Sequence, residues 1–181
     1  AFLVNAANAG NVNGVAFAGI ENLTGGAAGD VFSFTVNNDG GLTTLDGLGG
    51  DDEVTYAGAT GPVTIAIDRF TSIETLTGSA DAGDVLQGTA GGDAFTVDGT
   101  NSGTAGGINY SGFENLDGLA GDDTFTVNTG GSVTPITGGD DNDTVIGDDT
   151  DANAFAVNAA NAGSVNGVDF AGIENLTGGA G

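Results

Sequence analysis

The feature that most constrains this chain is that it repeats its own beginning near its end. Residues 1–28 and residues 154–181 align without a gap, differ at four positions and lie 153 residues apart. A sequence that begins and ends at the same phase of a long period is expected of a window cut from a tandem array. We therefore predict one repetitive segment, residues 1–181, in which successive 153-residue units stack on one another.

A shorter period lies within the long one. Triplets of the form Phe-x-Val or Ile-x-Ile recur at a nearly constant spacing, beginning at Phe2, Phe34, Ile65, Phe95, Phe125 and Phe155. Acidic residues recur at a similar spacing, at Glu21, Asp52, Asp84, Glu114, Asp143 and Glu174. Both markers predict coils of about 30 residues. The motif IENL, at residues 20–23 and 173–176, indicates a subunit of about ten residues, so coils of about 20 residues are the alternative.

The residues between these markers favour β-structure. Glycine accounts for 36 of the 181 residues and, with β-branched residues, interrupts every window long enough to hold a helix. Short alternating apolar runs bounded by Gly, Asp and Asn predict strands joined by tight turns. Coils that cannot bury their own apolar side must stack on their neighbours. We therefore predict an all-β fold, a parallel β-solenoid of the β-helix or β-roll type.

The charge balance excludes several classes of function. The chain has 25 acidic residues, one basic residue and no His or Cys, which gives a net charge of −24. Such a charge repels a phosphate backbone, so we expect no nucleic-acid partner. Most catalytic sets and zinc or thiol sites cannot be assembled from these residues, and we predict a protein that is not an enzyme. No apolar run is long enough to predict a membrane span.

The acidic residues gather at glycine-rich corners. These corners read GLGGDDEV at 47–54, GTAGGDAF at 88–95, GLAGDDTF at 118–125 and GGDDNDTV at 138–145. They resemble the nonapeptide G-G-x-G-x-D-x-U-x of the repeats-in-toxin family, with departures such as Leu48 and Leu119 at a glycine position. The resemblance implies calcium held by carbonyl and carboxylate oxygens of stacked turns. The candidate metal ligands are Asp30, Asp51, Asp52, Asp84, Asp93, Asp122, Asp123, Asp141 and Asp143.

Electrostatics support the same expectation. Neighbouring strands lie about 4.8 Å apart, and like charges held at that spacing repel by about 1 kcal/mol per pair even in water. Arg69 is the only basic side chain available to offset this repulsion. Relief is then expected from bound cations, high salt or protonation, and calcium is the cation we predict.

The chain as a whole resembles the repeat regions of giant secreted bacterial adhesins and surface filaments, through its ENLTGG, FTV and GGDD blocks. The resemblance implies an extracellular or cell-surface structural segment that is rigidified by calcium and associates with itself in filaments or tandem stacks. Cell-surface or matrix glycans are candidate partners. The alternatives are a calcium-dependent β-helix that binds or cleaves polysaccharide, with Asp68 and Arg69 as its only adjoining acid–base pair, and the repeat tail of a secreted toxin.

Overall fold

A computed structural model describes residues 1–150 and 152–179. Within them the chain forms 22 β-strands, one 3-10 turn at Ile67–Arg69 and no α-helix. The first strands are β1 (Phe2–Ala6), β2 (Ala9–Val12), β3 (Val15–Ala18), β4 (Asn22–Thr24), β5 (Val31–Phe34), β6 (Thr44–Asp46), β7 (Glu53–Thr55) and β8 (Thr64–Ala66). They are followed by β9 (Phe70–Thr71), β10 (Thr75–Thr77), β11 (Val85–Gln87), β12 (Ala94–Gly99), β13 (Ser102–Ala105), β14 (Ile108–Ser111) and β15 (Asn115–Ala120). The last strands are β16 (Thr124–Val127), β17 (Ile136–Asp140), β18 (Thr144–Gly147), β19 (Phe155–Ala159), β20 (Ala162–Val165), β21 (Val168–Ala171) and β22 (Asn175–Thr177).

Strands form where apolar and polar residues alternate, because successive side chains of a strand point to opposite faces. In β16, Phe125 and Val127 are fully buried, whereas Thr124 and Thr126 are only half-buried. The buried apolar side chains of all parts of the chain form one continuous core. Aromatic rings stack within it between adjacent strands, as Phe95 does on Phe125 with 4.8 Å between the ring centroids. Such stacking adds about 0.5–1.5 kcal/mol per pair to the gain from burial.

The strands form three sheets. A twelve-stranded sheet has the order β22-β18-β16-β12-β13-β14-β10-β7-β5-β1-β2-β3, a seven-stranded sheet the order β19-β20-β21-β17-β15-β11-β8, and a three-stranded sheet the order β4-β6-β9. Residues 64–71 run directly from the seven-stranded sheet into the three-stranded sheet. Neighbouring strands pair in parallel, except within the three antiparallel meanders described next. These sheets confirm the predicted all-β fold and its parallel strand pairing.

Three antiparallel meanders interrupt the parallel pairing. They consist of β1-β2-β3, β12-β13-β14 and β19-β20-β21. Their second turns contain Asn13-Gly14, Gly106-Gly107 and Asn166-Gly167, and each of these residues has a positive φ. Two positive φ values at the centre of a two-residue loop are the signature of a type I′ hairpin turn, which explains the choice of Asn and Gly. These meanders were not predicted from the sequence.

The meanders decide how far apart paired residues lie in sequence. Where no meander intervenes, parallel partners lie about 20 residues apart in sequence, as in Phe125↔Val145 and Phe32↔Val54. Where a meander intervenes, the separation is larger, as in Phe2↔Phe32 and Val145↔Leu176. The pairing offset is therefore not constant along the chain, because a hairpin adds about ten residues wherever it is inserted.

Candidate functional site

The corner acids form hydrogen-bonded series that run from one strand layer to the next. In every step but one, which begins at Val63, the backbone N–H of one corner acid donates to the side-chain carboxylate of the acid that follows. The longest series joins Asp93 N to Asp123 Oδ1 at 2.7 Å, Asp123 N to Asp143 Oδ1 at 2.9 Å and Asp143 N to Glu174 Oε2 at 2.9 Å. We call these series the acid ladder. A carboxylate that accepts a backbone N–H gains about 1.5–3 kcal/mol, which offsets part of the repulsion between stacked acids.

Two shorter series complete the acid ladder. One joins Asp30 N to Asp52 Oδ1 at 2.6 Å and Asp52 N to Glu74 Oε2 at 2.7 Å. The other joins Val63 N to Asp84 Oδ1 at 2.8 Å and Asp84 N to Glu114 Oε2 at 3.0 Å. Backbone N–H groups therefore offset part of the repulsion between the corner carboxylates. They act in addition to the bound cations, high salt and protonation expected from the sequence.

A glycine precedes most ladder aspartates by five residues, because the carboxylate folds back against that glycine. A methyl group on Gly88 would lie 2.7 Å from Asp93 Oδ2 and 2.7 Å from the carbonyl oxygen of Gly118. A methyl group on Gly118 would likewise overlap the Asp123 carboxylate and lie 2.5 Å from the Gly138 carbonyl oxygen. Real Cβ atoms do not approach other atoms this closely, so the corner glycines are required for space rather than only for turn formation.

The second oxygen of the ladder aspartates exists in two environments. In one group it accepts a backbone N–H from its own turn: Gly26 N donates to Asp30 at 2.7 Å, Ser79 N to Asp84 at 2.5 Å and Thr89 N to Asp93 at 2.6 Å. In the other group the buried oxygen has no hydrogen-bond partner: Asp52 Oδ2, Asp123 Oδ2 and Asp143 Oδ2. A carboxylate oxygen that is buried without a donor is costly, so these three atoms are the chemically open positions of the ladder.

The local backbone conformation separates the two groups. In the corners with an unpartnered oxygen, the residue after the leading glycine has a positive φ: Leu48 at 72°, Leu119 at 78° and Gly139 at 123°. Positive φ is uncommon for leucine and signals a specific turn geometry. In the corners with a satisfied oxygen, the equivalent residue supplies the N–H donor instead. The positive-φ turn thus coincides with the loss of the donor.

Burial makes two of these carboxyls easier to protonate. Desolvation, together with the nearby charges of Asp143, Asp93 and Asp117, raises the pKa of Asp123 to about 6, although the N–H of Asp93 works in the opposite direction. Desolvation also raises the pKa of Asp143, and neighbouring acids such as Glu174 add to the effect. These two residues are adjacent in the ladder, so protonation and cation binding compete for the same two unpartnered oxygens.

The nine predicted metal ligands therefore divide into two sets. Six of them belong to the acid ladder: Asp30, Asp52, Asp84, Asp93, Asp123 and Asp143. The other three, Asp51, Asp122 and Asp141, lie beside the ladder nearer to solvent. Two of these accept backbone N–H groups, with Asn142 N 3.1 Å from Asp122 Oδ1 and Gly121 N 3.3 Å from Asp141 Oδ2. In residues 1–150 and 152–179, no three acidic side chains converge as a metal-binding group.

Some acidic residues with a defined role were not among the predicted ligands. Glu74, Glu114 and Glu174 each accept a ladder N–H. They could have been found from the Ile-Glu-x-Leu and Phe-Glu-x-Leu motifs, which place a glutamate directly before a strand. Asp148 is also buried and accepts N–H and O–H donors from Thr129 and Thr150, which holds its pKa well below the usual range.

The only arginine is part of a local ion pair. Its Nη1 atom bonds Asp39 and donates to the Leu42 carbonyl oxygen at 3.3 Å, while Nε lies 3.7 Å from Asp68 Oδ1. A cleft of about 330 Å³ lies nearby, between residues 67–74 and residues 106–108. Its two carboxylates, Glu74 and Asp93, both belong to residues of the acid ladder.

Comparisons of the chain with protein-family models, with curated proteins and with solved structures find no match. Within the described residues, no helix has the length and apolar character needed to cross a membrane.

Proposed function

We propose that this chain is a structural repeat segment, the β-solenoid shaft of an extracellular surface filament or giant adhesin. The observation that carries this proposal is the continuity of the strand pairing, which extends through twelve strands of one sheet. At about 4.8 Å between strands, such a sheet measures about 50 Å across. A stack of this kind provides reach and stiffness, and each layer contacts only its neighbours.

The acid ladder suits a shaft because it ties adjacent layers together at their corners. Each ladder step joins the backbone of one layer to a side chain of the next, for example Asp93 to Asp123. An axial load on the stack would have to break these charge-assisted hydrogen bonds as well as the strand pairing. The same unit of strand, corner acid and strand recurs in both halves of the chain, as expected when the function is mechanical rather than local.

We further propose that calcium occupies some of the corners. Calcium prefers six to eight hard oxygen ligands, and a Gly/Asp corner offers backbone carbonyl and carboxylate oxygens. Asp52, Asp123 and Asp143 fit this chemistry best, because each has a buried oxygen that no protein donor satisfies. Calcium bound there would give these unpartnered oxygens a positively charged partner. The backbone N–H groups of the acid ladder would hold the carboxylates in place.

The shaft proposal is tested by small-angle scattering from the chain and from a version in which residues 1–153 precede it in tandem. We expect the tandem protein to keep the cross-section of the single chain and to become longer by about 50 Å, because residues 1–153 contribute eleven strands to the twelve-stranded sheet. A tandem protein that scatters as two separate globules, or as one compact globule, would refute the proposed shaft.

The calcium proposal is tested by denaturant unfolding in calcium and in EGTA at the same low ionic strength. We expect the midpoint to be higher in calcium, because an ion that binds only the folded state stabilises it. Asp123→Asn should weaken this response, whereas Asp122→Asn at the neighbouring, more accessible position should retain most of it. An unfolding midpoint that does not differ between calcium and EGTA would eliminate the calcium proposal.

A further inference from the structure

Three glutamates of the chain contact a meander, and a fourth lacks this contact. Glu21, Glu114 and Glu174 each accept the Nδ2 group of an asparagine in the first turn of a meander, at 3.0, 2.7 and 2.5 Å. Glu74 holds the equivalent place in its motif, and its Oε2 atom accepts the ladder N–H of Asp52 at 2.7 Å. Residues 53–71 before it form β7, β8 and β9 instead of a meander. Among the described residues, Glu74 Oε1 consequently has no hydrogen-bond donor.

Asp93 keeps a free carboxylate oxygen for a related reason. In the next layer, Asp123 Oδ1 accepts the backbone N–H of Asp93. The strand that follows Asp93, β12, pairs on its other side with β13 of its own meander, so no corner of a preceding layer lies there. Asp93 Oδ2 accepts the N–H of Thr89 at 2.6 Å. In the part of the chain that the structure describes, no donor reaches Asp93 Oδ1.

Glu74 and Asp93 line the same cleft, which has a volume of about 330 Å³. The apolar part of its wall consists of Ile67, Phe70, Ile73 and Ile108. Sites for small ligands have a similar volume and combine apolar walls with a few polar groups. The turn at residues 106–107 of the middle meander also lines the cleft. The cleft therefore lies where a unit without a meander meets the turn of a meander, and this is where the chain departs from its own repeat.

No basic side chain neutralises the two carboxylates of the cleft. Arg69 lies beside Phe70 in sequence, but its guanidinium bonds Asp39 and the Leu42 carbonyl oxygen. The described residues that line the cleft include no arginine or lysine. Two acidic side chains thus face a wall that is otherwise largely apolar. A ligand complementary to this surface carries a positive charge, N–H donors and an apolar body.

The wall also distinguishes between kinds of cation. Calcium takes six to eight oxygen ligands, and the isoleucines and Phe70 offer no side-chain oxygen. A primary ammonium group is compact and has three N–H donors for carboxylate oxygens. A phenyl ring attracts such a group, and isoleucine side chains bury the methylene groups attached to it. The cleft therefore fits an organic ammonium ion better than a metal ion.

We propose that this cleft is a binding site for a primary alkylammonium group, the chemistry of a lysine side chain or of a free aliphatic amine. The ammonium group donates to Glu74 Oε1, in the place that an asparagine Nδ2 group takes beside Glu114, and to Asp93 Oδ1. The aliphatic chain lies against the apolar wall. The site goes beyond the shaft and calcium proposals, because it depends neither on the length of the stack nor on the three unpartnered oxygens of the acid ladder.

The test is a ligand titration of the isotope-labelled chain, followed by nuclear magnetic resonance in EGTA at low ionic strength. The ligands are pentylamine, Nα-acetyl-lysine methylamide and, as the uncharged counterpart, pentanol. Glu74→Gln and Asp93→Asn each keep an oxygen for the existing backbone N–H and place an amide nitrogen at the free position. Asp81→Asn is the matched control, because it removes the same charge from an exposed residue outside the cleft. The amide spectrum of each variant also reports whether the fold is kept.

We expect both amines to shift the amide signals of Ser72, Gly106 and Gly107 in a saturating manner, and pentanol to shift them much less. Tighter binding of the lysine derivative would identify a protein lysine as the source of the ammonium group, and tighter binding of pentylamine a free amine. Glu74→Gln and Asp93→Asn should each weaken binding by about tenfold or more, because each removes a charge-assisted hydrogen bond. Asp81→Asn should bind as the unchanged chain does.

Three results would overturn the inference. They are an equal response to pentanol and pentylamine, signal shifts spread over all the acidic corners instead of the cleft, and binding that is unchanged in Glu74→Gln and Asp93→Asn. If one of these two variants does not fold, the other decides. The scattering test of the tandem protein and the comparison of calcium with EGTA use other readouts, so a failed titration leaves the shaft and calcium proposals intact.

Discussion

Replacing Asp123 with asparagine should stabilise the protein at neutral pH, although it removes an acid from the ladder. The Asp123 side chain is 1% exposed, and its Oδ2 atom has no donor. In Asp123→Asn, the amide oxygen can still accept the N–H of Asp93, now 2.7 Å from Oδ1. The amide nitrogen then takes the place of the unpartnered oxygen. The substitution therefore removes a buried negative charge and keeps the ladder contact.

The magnitude follows from the pKa. Burial and neighbouring acids raise the pKa of Asp123 from 3.8 to about 6, which corresponds to about 3 kcal/mol in favour of its neutral form. Since the folded pKa is above the unfolded one, the folded state binds more protons between pH 4 and pH 6. The free energy of unfolding of the unchanged protein should therefore fall as pH rises through this range. Asp123→Asn should be similar to the unchanged protein at pH 4 and more stable by up to about 3 kcal/mol at pH 8.

The assay is denaturant unfolding in EGTA at several pH values, with Asp84→Asn as the matched control. Asp84 is equally buried, but both its oxygens accept backbone N–H groups, from Val63 at 2.8 Å and Ser79 at 2.5 Å. An amide in that position places an N–H against an N–H, so Asp84→Asn should destabilise by about 1–3 kcal/mol. If Asp123→Asn also destabilised the protein at pH 8 in EGTA, the proposed cost of the unpartnered oxygen would be refuted.

Two further predictions concern other parts of the corners. Gly118→Ala should destabilise the protein by more than about 2 kcal/mol, because the new methyl group overlaps the Asp123 carboxylate. Gly49→Ala is the control and should change the unfolding midpoint little, because the nearest atom to its new methyl group would be 3.9 Å away. Equal unfolding midpoints for the two variants would contradict the close packing of Gly118. Asp148→Asn should destabilise at pH 7, because the carboxylate accepts donors from Thr129 and Thr150. The lowered pKa of Asp148 also means that its contribution is present above the ordinary carboxyl pKa and is lost as pH falls below it, so the variant should lose part of its acid sensitivity in a pH titration of unfolding.

The strand positions could be predicted from the sequence because they depend on local alternation. The triplets at Phe95 and Phe125 lie in strands and stack in parallel as expected. The meanders were missed even though Asn13-Gly14 is a strong hairpin signal, because a corner between layers and a hairpin within a sheet use the same turn residues. Only the pairing register, in which Phe2 faces Val12, separates the two.

The chemistry of the corners was only partly predictable for a related reason. The sequence shows that Asp52 and Asp123 follow glycine-rich turns, and the structure buries both side chains. The sequence does not show that the backbone N–H of Asp93 reaches the carboxylate of Asp123 in the next layer, because that contact depends on the register between layers. The positive φ of Leu48 and Leu119, which coincides with the unpartnered oxygens, was also hidden, since leucine rarely adopts that conformation.

The two terminal meanders have nearly the same sequence but lie in different sheets. The first, β1-β2-β3, belongs to the twelve-stranded sheet, and the last, β19-β20-β21, belongs to the seven-stranded sheet. The 153-residue offset between them therefore does not return the chain to the same sheet. In the proposed filament, a surface feature that recurs once per sequence repeat would change sheet from one repeat to the next, so that it would not be displayed along a single side of the shaft.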